Sequence, residues 1–212
     1  MEQPLDGVLS TVAALASFSF VTSITPGPNN IMLMASGARS GFRATLPHML
    51  GVATGMAGLL TLAYFGVGAL AADQPGFRKA MTWVCALYLL WLASKLLRDR
   101  TLEKPTSEAS VARPLTLMQA ALFQLVNPKG WAMALTAAAT VLASDMGWAS
   151  GITLLLGVFT IVNLPCLMAW TLWGAMIRRF LARPGLKLAF DVFMALLLLA
   201  TAVAMVWGVE SA

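Results

Sequence analysis

Two short segments of the 212-residue chain combine proline with side chains that can bind a polar solute, and both lie inside long apolar stretches. Residues 25–30 are Thr-Pro-Gly-Pro-Asn-Asn, and residues 127–130 are Asn-Pro-Lys-Gly. Proline lacks a backbone N–H and clashes with the preceding helical turn, so each segment predicts a helix break. Lipid offers no hydrogen bonds to the freed backbone groups, which must therefore face protein or a polar cavity.

The chemistry available at such a break is recognition of a zwitterion. The helix that follows Asn29 and Asn30 would present free N–H groups and a positive dipole end, which suit a carboxylate. The freed carbonyl groups suit an ammonium group or another proton donor, and an amino acid carries both charges. The alternative is that Pro26 and Pro28 only kink a helix whose backbone the asparagine side chains repair.

Three further polar residues lie within apolar segments. Lys129 is unfavourable at membrane depth, so we expect it to neutralise an acid or to contact an anionic group. Asp191 is the candidate acid and a candidate proton carrier, although it could instead be a helix N-terminal charge at the headgroup level. Asn163, two residues before Pro165, is a second candidate partner, or it could only link helices by hydrogen bonds.

The composition defines the environment of these residues. Hydrophobic residues make up 59% of the chain and charged residues 11%, against about 45–50% and about 25% in soluble domains. Together with a mean hydropathy of +0.79, this excludes a soluble protein and predicts an all-α integral membrane protein. Six regions have the length and apolar character of membrane spans: 8–38, 46–72, 80–97, 115–143, 150–173 and 188–209. The first and fourth regions are the longest, with 31 and 29 residues where a span needs roughly 20, and they contain the two breaks.

The basic residues predict the orientation in the membrane. Eleven of the 14 lysines and arginines lie in the connections after the first, third and fifth spans or, for Lys95, at the adjoining end of the third span. Only Arg78 and Lys79 lie on the opposite side, and Lys129 lies within a span. By the positive-inside rule, both termini face away from the cytoplasm. Because topology explains the net charge of +5, nucleic acid is not an expected partner.

The spans divide into two halves. Residues 1–97 and 115–212 hold three spans each, separated by a polar cytoplasmic loop at 98–114. An odd number of spans per half predicts two inverted repeats. A shift of 102 residues places Thr25 on Asn127 and Gly55 on Gly157, so the breaks occupy equivalent positions. Paired interruptions of this kind indicate the binding site of a transporter.

Other features favour packing or leave alternatives open. Gly51, Gly55 and Gly58 predict a helix face that allows close packing. Cys85 and Cys166 lie within apolar segments, and a thiol-redox carrier that uses them is the main alternative function. An assembly subunit without transport is a second alternative. No set of residues suited to catalysis or metal binding converges, so neither an enzyme nor a cofactor is expected.

The break residues resemble a known family. Segment 25–30, followed by Ser-Gly-Phe-Arg at 40–43 and by the glycines at 51 and 55, is similar to the N-terminal signature of the LysE/RhtB family of amino-acid exporters. Segment 123–130, Phe-Gln-Leu-Val-Asn-Pro-Lys-Gly, resembles the Asn-Pro-Lys segment of that family. The six spans, the chain length and the charged central loop resemble it as well.

The resemblance implies a secondary transporter that exports amino acids or close derivatives across the bacterial cytoplasmic membrane in exchange for protons. Few acids lie within the spans, so we expect a small neutral substrate. Monomer and homodimer both stay open. The residues that the resemblance places at the translocation site are Pro26, Gly27, Pro28, Asn29, Asn30, Asn127, Pro128 and Lys129.

Overall fold

The computed structural model describes residues 5–66, 75–98, 114–144, 146–181 and 183–210, and within these ranges the chain is helical. The helices are α1 Leu5–Ile24, α2 Pro28–Ser40, α3 Phe42–Tyr64, α4 Pro75–Arg98, α5 Leu117–Val126, α6 Pro128–Leu142, α7 Trp148–Ile177 and α8 Pro184–Glu210. A 3-10 turn, Arg178–Phe180, extends α7. The predicted all-α class is confirmed for these residues. Most of the polar loop 98–114 and the end of the second predicted span, 67–72, lie outside them.

Several helices are long and apolar enough to cross a bilayer. In the described ranges these are Gly7–Ile24, Phe42–Tyr64, Trp148–Phe180 and Gly185–Trp207, with shorter apolar helical segments at Thr82–Ser94 and Leu117–Val126. Large apolar side chains cover the outside; Ile161 is 73% exposed and Trp207 is 75% exposed. Lipid is the solvent that such a surface requires. The structure therefore supports a multi-pass membrane protein, and the count of six spans stays a prediction.

The first and fourth predicted spans each contain two helices. Three residues separate α1 from α2, and Asn127 alone separates α5 from α6. At about 1.5 Å per residue, the 13 residues of α2, the 10 of α5 and the 15 of α6 fall short of a hydrocarbon core of about 30 Å. The breaks thus lie at the predicted positions, whereas α1 with its 20 residues is long enough to cross alone.

Two contacts show how the ends of the helices are grouped. Gly41 alone joins α2 to α3 with φ 83°, a left-handed conformation that favours glycine. A Cβ atom at Gly41 would lie 2.9 Å from Nη1 of Arg178, so the end of α7 lies beside this turn. At the other end of α3, the Tyr64 hydroxyl donates to the Trp148 carbonyl oxygen at 3.1 Å. Helices α3 and α7 therefore run antiparallel.

The buried apolar side chains form two main clusters. One joins α1, α3, α6 and α7 around Leu59 and Phe159, and the other joins α2, α4, α5 and α8 around Leu89 and Leu198. Between the helices, α1 and α2 pack against α7, α5 and α6 pack against α3, and α4 packs against α8. Each half of the chain thus packs its broken helices against a long helix of the other half.

Candidate functional site

The first break leaves the carbonyl end of α1 open, and side chains from three helices close it. The Asn30 amide nitrogen donates to Ser23 O at 2.7 Å and to Thr25 O at 2.8 Å. The Trp170 indole N–H donates to Ile24 O at 3.2 Å. These bonds satisfy carbonyl groups that have no intrahelical partner, as burial at membrane depth requires.

Lys129 completes this closure from the second break. Its Nζ donates to Thr25 O at 2.9 Å, to Thr25 Oγ1 at 3.0 Å and to Pro26 O at 3.2 Å. Three acceptors match the three donors of an ammonium group. The positive charge also lies at the negative end of the α1 dipole. The freed carbonyl groups thus already bind an ammonium group, the one that belongs to Lys129.

Gly27 leaves room for the Lys129 side chain. A Cβ atom at Gly27 would lie 2.8 Å from Lys129 Cδ and 3.0 Å from Nζ. The backbone of Gly27 is extended, with φ −171° and ψ 173°, a conformation that any residue adopts. Space for Lys129, rather than backbone conformation, is therefore the reason for glycine at this position.

The second break is organised around Gln124, on the last turn of α5. Its Oε1 accepts from Asn29 Nδ2 at 2.6 Å and from Asn127 Nδ2 at 3.0 Å. Its Nε2 donates to the Val52 carbonyl oxygen at 3.2 Å. All four residues are buried, so this one amide connects α2, α3, α5 and the start of α6.

Both breaks end in an uncapped helix N-terminus. Helices α2 and α6 begin at Pro28 and Pro128, and neither has a side-chain cap. The first intrahelical bonds are Ile31 N–H to Gly27 O at 3.0 Å and Trp131 N–H to Asn127 O at 3.2 Å. The amides before Ile31 and Trp131 therefore have no acceptor within their own helices. Two positive dipole ends result, one at each break.

The two breaks line one small cavity. Its walls are Thr22, Ser23, Gly27, Pro28, Asn29, Asn30, Val52, Met56, Gln124, Asn127, Lys129, Gly130, Met133, Asn163 and Leu167. The volume is about 30 Å³, far below the roughly 300–1,000 Å³ of typical small-molecule sites. The helices must therefore separate before a small organic solute can enter.

Known proteins resemble this chain in sequence. The sequence profile "LysE type translocator" matches residues 20–208. The chain belongs to the LysE type translocator family. Relatives from Escherichia coli O139:H28 (strain E24377A / ETEC), Escherichia coli (strain K12) and Salmonella typhi are named "Cysteine/O-acetylserine efflux protein". Each is 28% identical over 196 residues, which are 91% of this chain and 95% of the relative. No solved structure matches the chain.

The resemblance drawn from the break residues is thereby confirmed, and family membership supports amino-acid export. In this LysE type translocator, the residues that the resemblance places at the translocation site lie at the two breaks. Those that line the cavity are Gly27, Pro28, Asn29, Asn30, Asn127 and Lys129. Pro26 and Pro128 flank it, and Asn163 lines it and donates from Nδ2 to Ser23 Oγ at 2.8 Å.

Asp191 lies elsewhere in the translocator. Its Oδ1 accepts from Arg39 Nη2 at 3.1 Å, and its side chain is 3% exposed. The expected pair between Lys129 and Asp191 is not formed, because backbone carbonyl groups take up the Lys129 ammonium group. Asp191 is also buried and is the eighth residue of α8, beyond the first turn, so it does not act as an N-terminal charge of this helix.

The sequence analysis missed Gln124 and two tryptophans. Gln124 is a buried amide one helical turn before Asn127, so a polar side chain on the same helix face is the signal that could have found it. Trp170 and Trp131 bind break carbonyl groups, the latter donating to Leu125 O at 2.9 Å. A helix that ends at membrane depth leaves carbonyl groups without partners, which predicts that some side chain donates to them. The sequence does not indicate which side chain this is.

The glycines of α3 position Gln124. A Cβ atom at Gly55 would lie 2.7 Å from Ala121 O and 2.8 Å from Gln124 Cγ, and one at Gly51 would overlap Leu117 O. Both glycines thus allow α3 and α5 to touch through their backbones. Among the described residues, no atom lies within 4 Å of a Cβ atom placed at Gly58, so the predicted close packing is not found at this glycine.

The two cysteines are not brought together. Cys85 on α4 and Cys166 on α7 are buried free thiols. Helix α4 packs against α8, α5 and α6, and α7 is not among these main neighbours. A redox carrier needs its thiols within exchange distance, so the described helices do not favour this alternative.

Proposed function

We propose that this translocator exports small neutral amino acids or their close derivatives from the cytoplasm, in exchange for protons. The observation that carries the proposal is the shared cavity between two matched helix breaks. Two uncapped N-termini and Lys129 make its surroundings positive, which favours the substrate carboxylate.

The cavity walls favour a neutral side chain. Lys129 is the one charged residue among the described cavity residues, and no carboxylate lines the cavity to pair with a cationic side chain. Cysteine and O-acetylserine, for which the relatives are named, are both small and uncharged in the side chain.

The helix packing supports two inverted three-span repeats with rocking between them. The main helix contacts follow the same pattern in both halves when α1 corresponds to α5, α2 to α6, α3 to α7 and α4 to α8. Helices α1 and α2 pack against α7, just as α5 and α6 pack against α3, and α4 packs against α8. This is the pattern expected when a central site lies between repeats that open alternately to each side. The grouping of Gly41 with Arg178 at one end and of Tyr64 with Trp148 at the other fits this topology, with both termini outside the cytoplasm.

For the coupling ion we propose the proton, with Asp191 as its carrier. The Oδ2 atom of Asp191 is buried and has no hydrogen-bond partner among the described residues. A carboxylate that is bound to Arg39 through one oxygen can take up a proton on the other. Protonation would weaken the link between α2 and α8, and so couple proton binding to movement of a break helix.

The experiment that tests the proposal is efflux from preloaded proteoliposomes. Each of the twenty amino acids and O-acetylserine is measured with and without an imposed pH gradient. We expect gradient-stimulated efflux of one or a few small neutral compounds. The control is Thr153→Ala, which removes an exposed hydroxyl that donates to the Ala149 carbonyl oxygen of the same helix. Efflux of none, from vesicles that contain folded protein, contradicts the proposal.

A further inference from the structure

Two buried oxygen atoms beside the cavity have no donor. Asn29 Oδ1 and Asn127 Oδ1 lack a hydrogen-bond partner among the described residues. Asn29 is 9% exposed and Asn127 is 3% exposed, and both residues line the cavity. Buried amide oxygens are satisfied in nearly all native structures, so a pair without donors indicates a ligand that supplies them.

The orientation of both amides follows from one backbone carbonyl group. Val52 O can only accept, so the Gln124 atom that faces it at 3.2 Å must be the nitrogen. The other end of Gln124 is therefore the oxygen, which can only accept. Asn29 and Asn127, at 2.6 Å and 3.0 Å, must both present their nitrogens to it. Their oxygens are consequently left as acceptors.

A pair of neutral acceptors selects a compact donor group with several N–H bonds. Lys129 is not that donor, because its three bonds go to Thr25 and Pro26. We propose that Asn29 Oδ1 and Asn127 Oδ1 form the subsite for the α-ammonium group of the substrate, and that Gln124 is the positioning residue that aims them. This proposal rests on the proposed export of amino acids, and it adds the requirement for a free amine.

The subsite predicts how the substrate lies. The ammonium group would bind the two asparagine oxygens beside Gln124, and the adjacent carboxylate of the same zwitterion would bind the free N–H groups in the first turns of α2 and α6, where its negative charge offsets the positive dipole ends. A compound with the carboxylate but without the amine would lose the donors that the two oxygens require. Compounds whose amine is acetylated would lose both the charge and two of the three donors.

The test compares L-cysteine with 3-mercaptopropionate, which lacks the amine, under reducing conditions. Binding to the purified full-length protein is measured by calorimetry. If the efflux assay identifies another amino acid, that amino acid and its deamino analogue are used instead. For the wild-type protein we expect the amino acid to bind about 10- to 100-fold more tightly, the range for hydrogen bonds to a charged group.

In Gln124→Leu both asparagine amides can rotate, so we expect most of this preference to disappear, while binding of the deamino analogue changes less than about twofold. Asn29→Ala removes one oxygen and leaves Gln124 bonded to Val52, and it should also reduce the preference. This second variant decides the matter if Gln124→Leu does not elute as folded protein. Thr153→Ala is the matched control and should keep the full preference.

The outcomes separate the two proposals. An equal loss of binding for both ligands means that Gln124 is only structural and overturns the ammonium subsite. An unchanged preference in Asn29→Ala overturns it as well, even when export is intact. A rise in the melting temperature with sodium chloride but not choline chloride, without any amino acid, assigns the oxygens to a metal ion and overturns it too. Absence of any amino-acid transport by the wild-type protein instead contradicts the proposed function.

Discussion

The Lys129 ammonium group lies 2.9 Å from the carbonyl oxygen of Thr25, so a side chain from the second helix break closes the open end of the first. This bond links the two halves of the chain at the centre of the proposed site. Its release would free the ammonium group and the Pro26 carbonyl oxygen, whereas the Thr25 carbonyl oxygen would keep its bond from Asn30 Nδ2. Lys129 is therefore suited to hold the two halves together when its bonds are formed and to let them separate when these bonds break.

Replacing Lys129 tests whether this link between the halves is needed for stability and transport. We expect Lys129→Met to lower the free energy of unfolding by about 1.5–3 kcal/mol, because Thr25 and Pro26 lose bonds to a charged donor. Efflux of all exported amino acids should fall alike, since the contact involves no substrate side chain. Thermal unfolding in detergent and proteoliposome efflux measure the two effects. A loss confined to one amino acid would point to a side-chain contact and against this role.

Gly27→Ala should act through the same lysine. The added methyl group would lie 2.8 Å from Lys129 Cδ, so the flexible end of the lysine must move away. We expect reduced efflux in Gly27→Ala and little further loss in the double variant with Lys129→Met. A double-mutant cycle measures this coupling. Fully additive losses in efflux would mean that Gly27 acts independently of Lys129.

Restoring a continuous backbone at the first break should reduce transport without preventing folding. In the double variant Pro26→Ala, Pro28→Ala both positions regain an N–H, so α1 and α2 can join into one helix. We expect lower efflux, an unchanged amount of protein in the membrane and a melting temperature no lower than that of the wild-type protein. Unchanged efflux would show that the unwound segment is not part of the transport mechanism.

The sequence predicted the helical class and both breaks because these depend on local properties. Apolar runs predict helices in lipid, and Pro26, Pro28 and Pro128 predict where those helices are interrupted. Asn163 is a candidate because it is a polar residue within an apolar segment. Such features are visible in a single sequence, without knowledge of the packing.

The partners of the charged and amide groups could not be predicted in this way. Lys129 binds backbone carbonyl groups, which every residue has, so no residue type marks its acceptor. Asp191 pairs with Arg39, 152 positions away in sequence, because α2 and α8 pack together. Gln124 connects Asn29 to Asn127 only because Gly51 and Gly55 let α3 and α5 touch. These contacts follow from tertiary packing.

Asp191 and Arg39 allow a test of proton coupling. Asp191→Asn removes the negative charge beside Arg39, and breaking a buried pair in this way costs about 3 kcal/mol or more. We expect a lower melting temperature and loss of the stimulation of efflux by a pH gradient. Exchange of labelled for unlabelled substrate without a gradient should persist, because Asp191 does not line the cavity. Gradient-stimulated efflux that survives in folded Asp191→Asn would exclude this carboxylate as the proton carrier.

Replacing the two cysteines distinguishes amino-acid export from thiol-redox transfer. Cys85 and Cys166 are buried at 0% and 3% exposure on helices that are not main neighbours. We expect the double variant Cys85→Ala, Cys166→Ala to retain efflux, with a modest fall in melting temperature from the loss of two buried side chains. A redox carrier would instead lose all activity, because its electrons would pass through these thiols. Two measurements on the same vesicles distinguish the functions: efflux, and reduction of a membrane-impermeant disulfide dye. Retained efflux without dye reduction assigns export. Dye reduction that depends on the cysteines assigns thiol transfer.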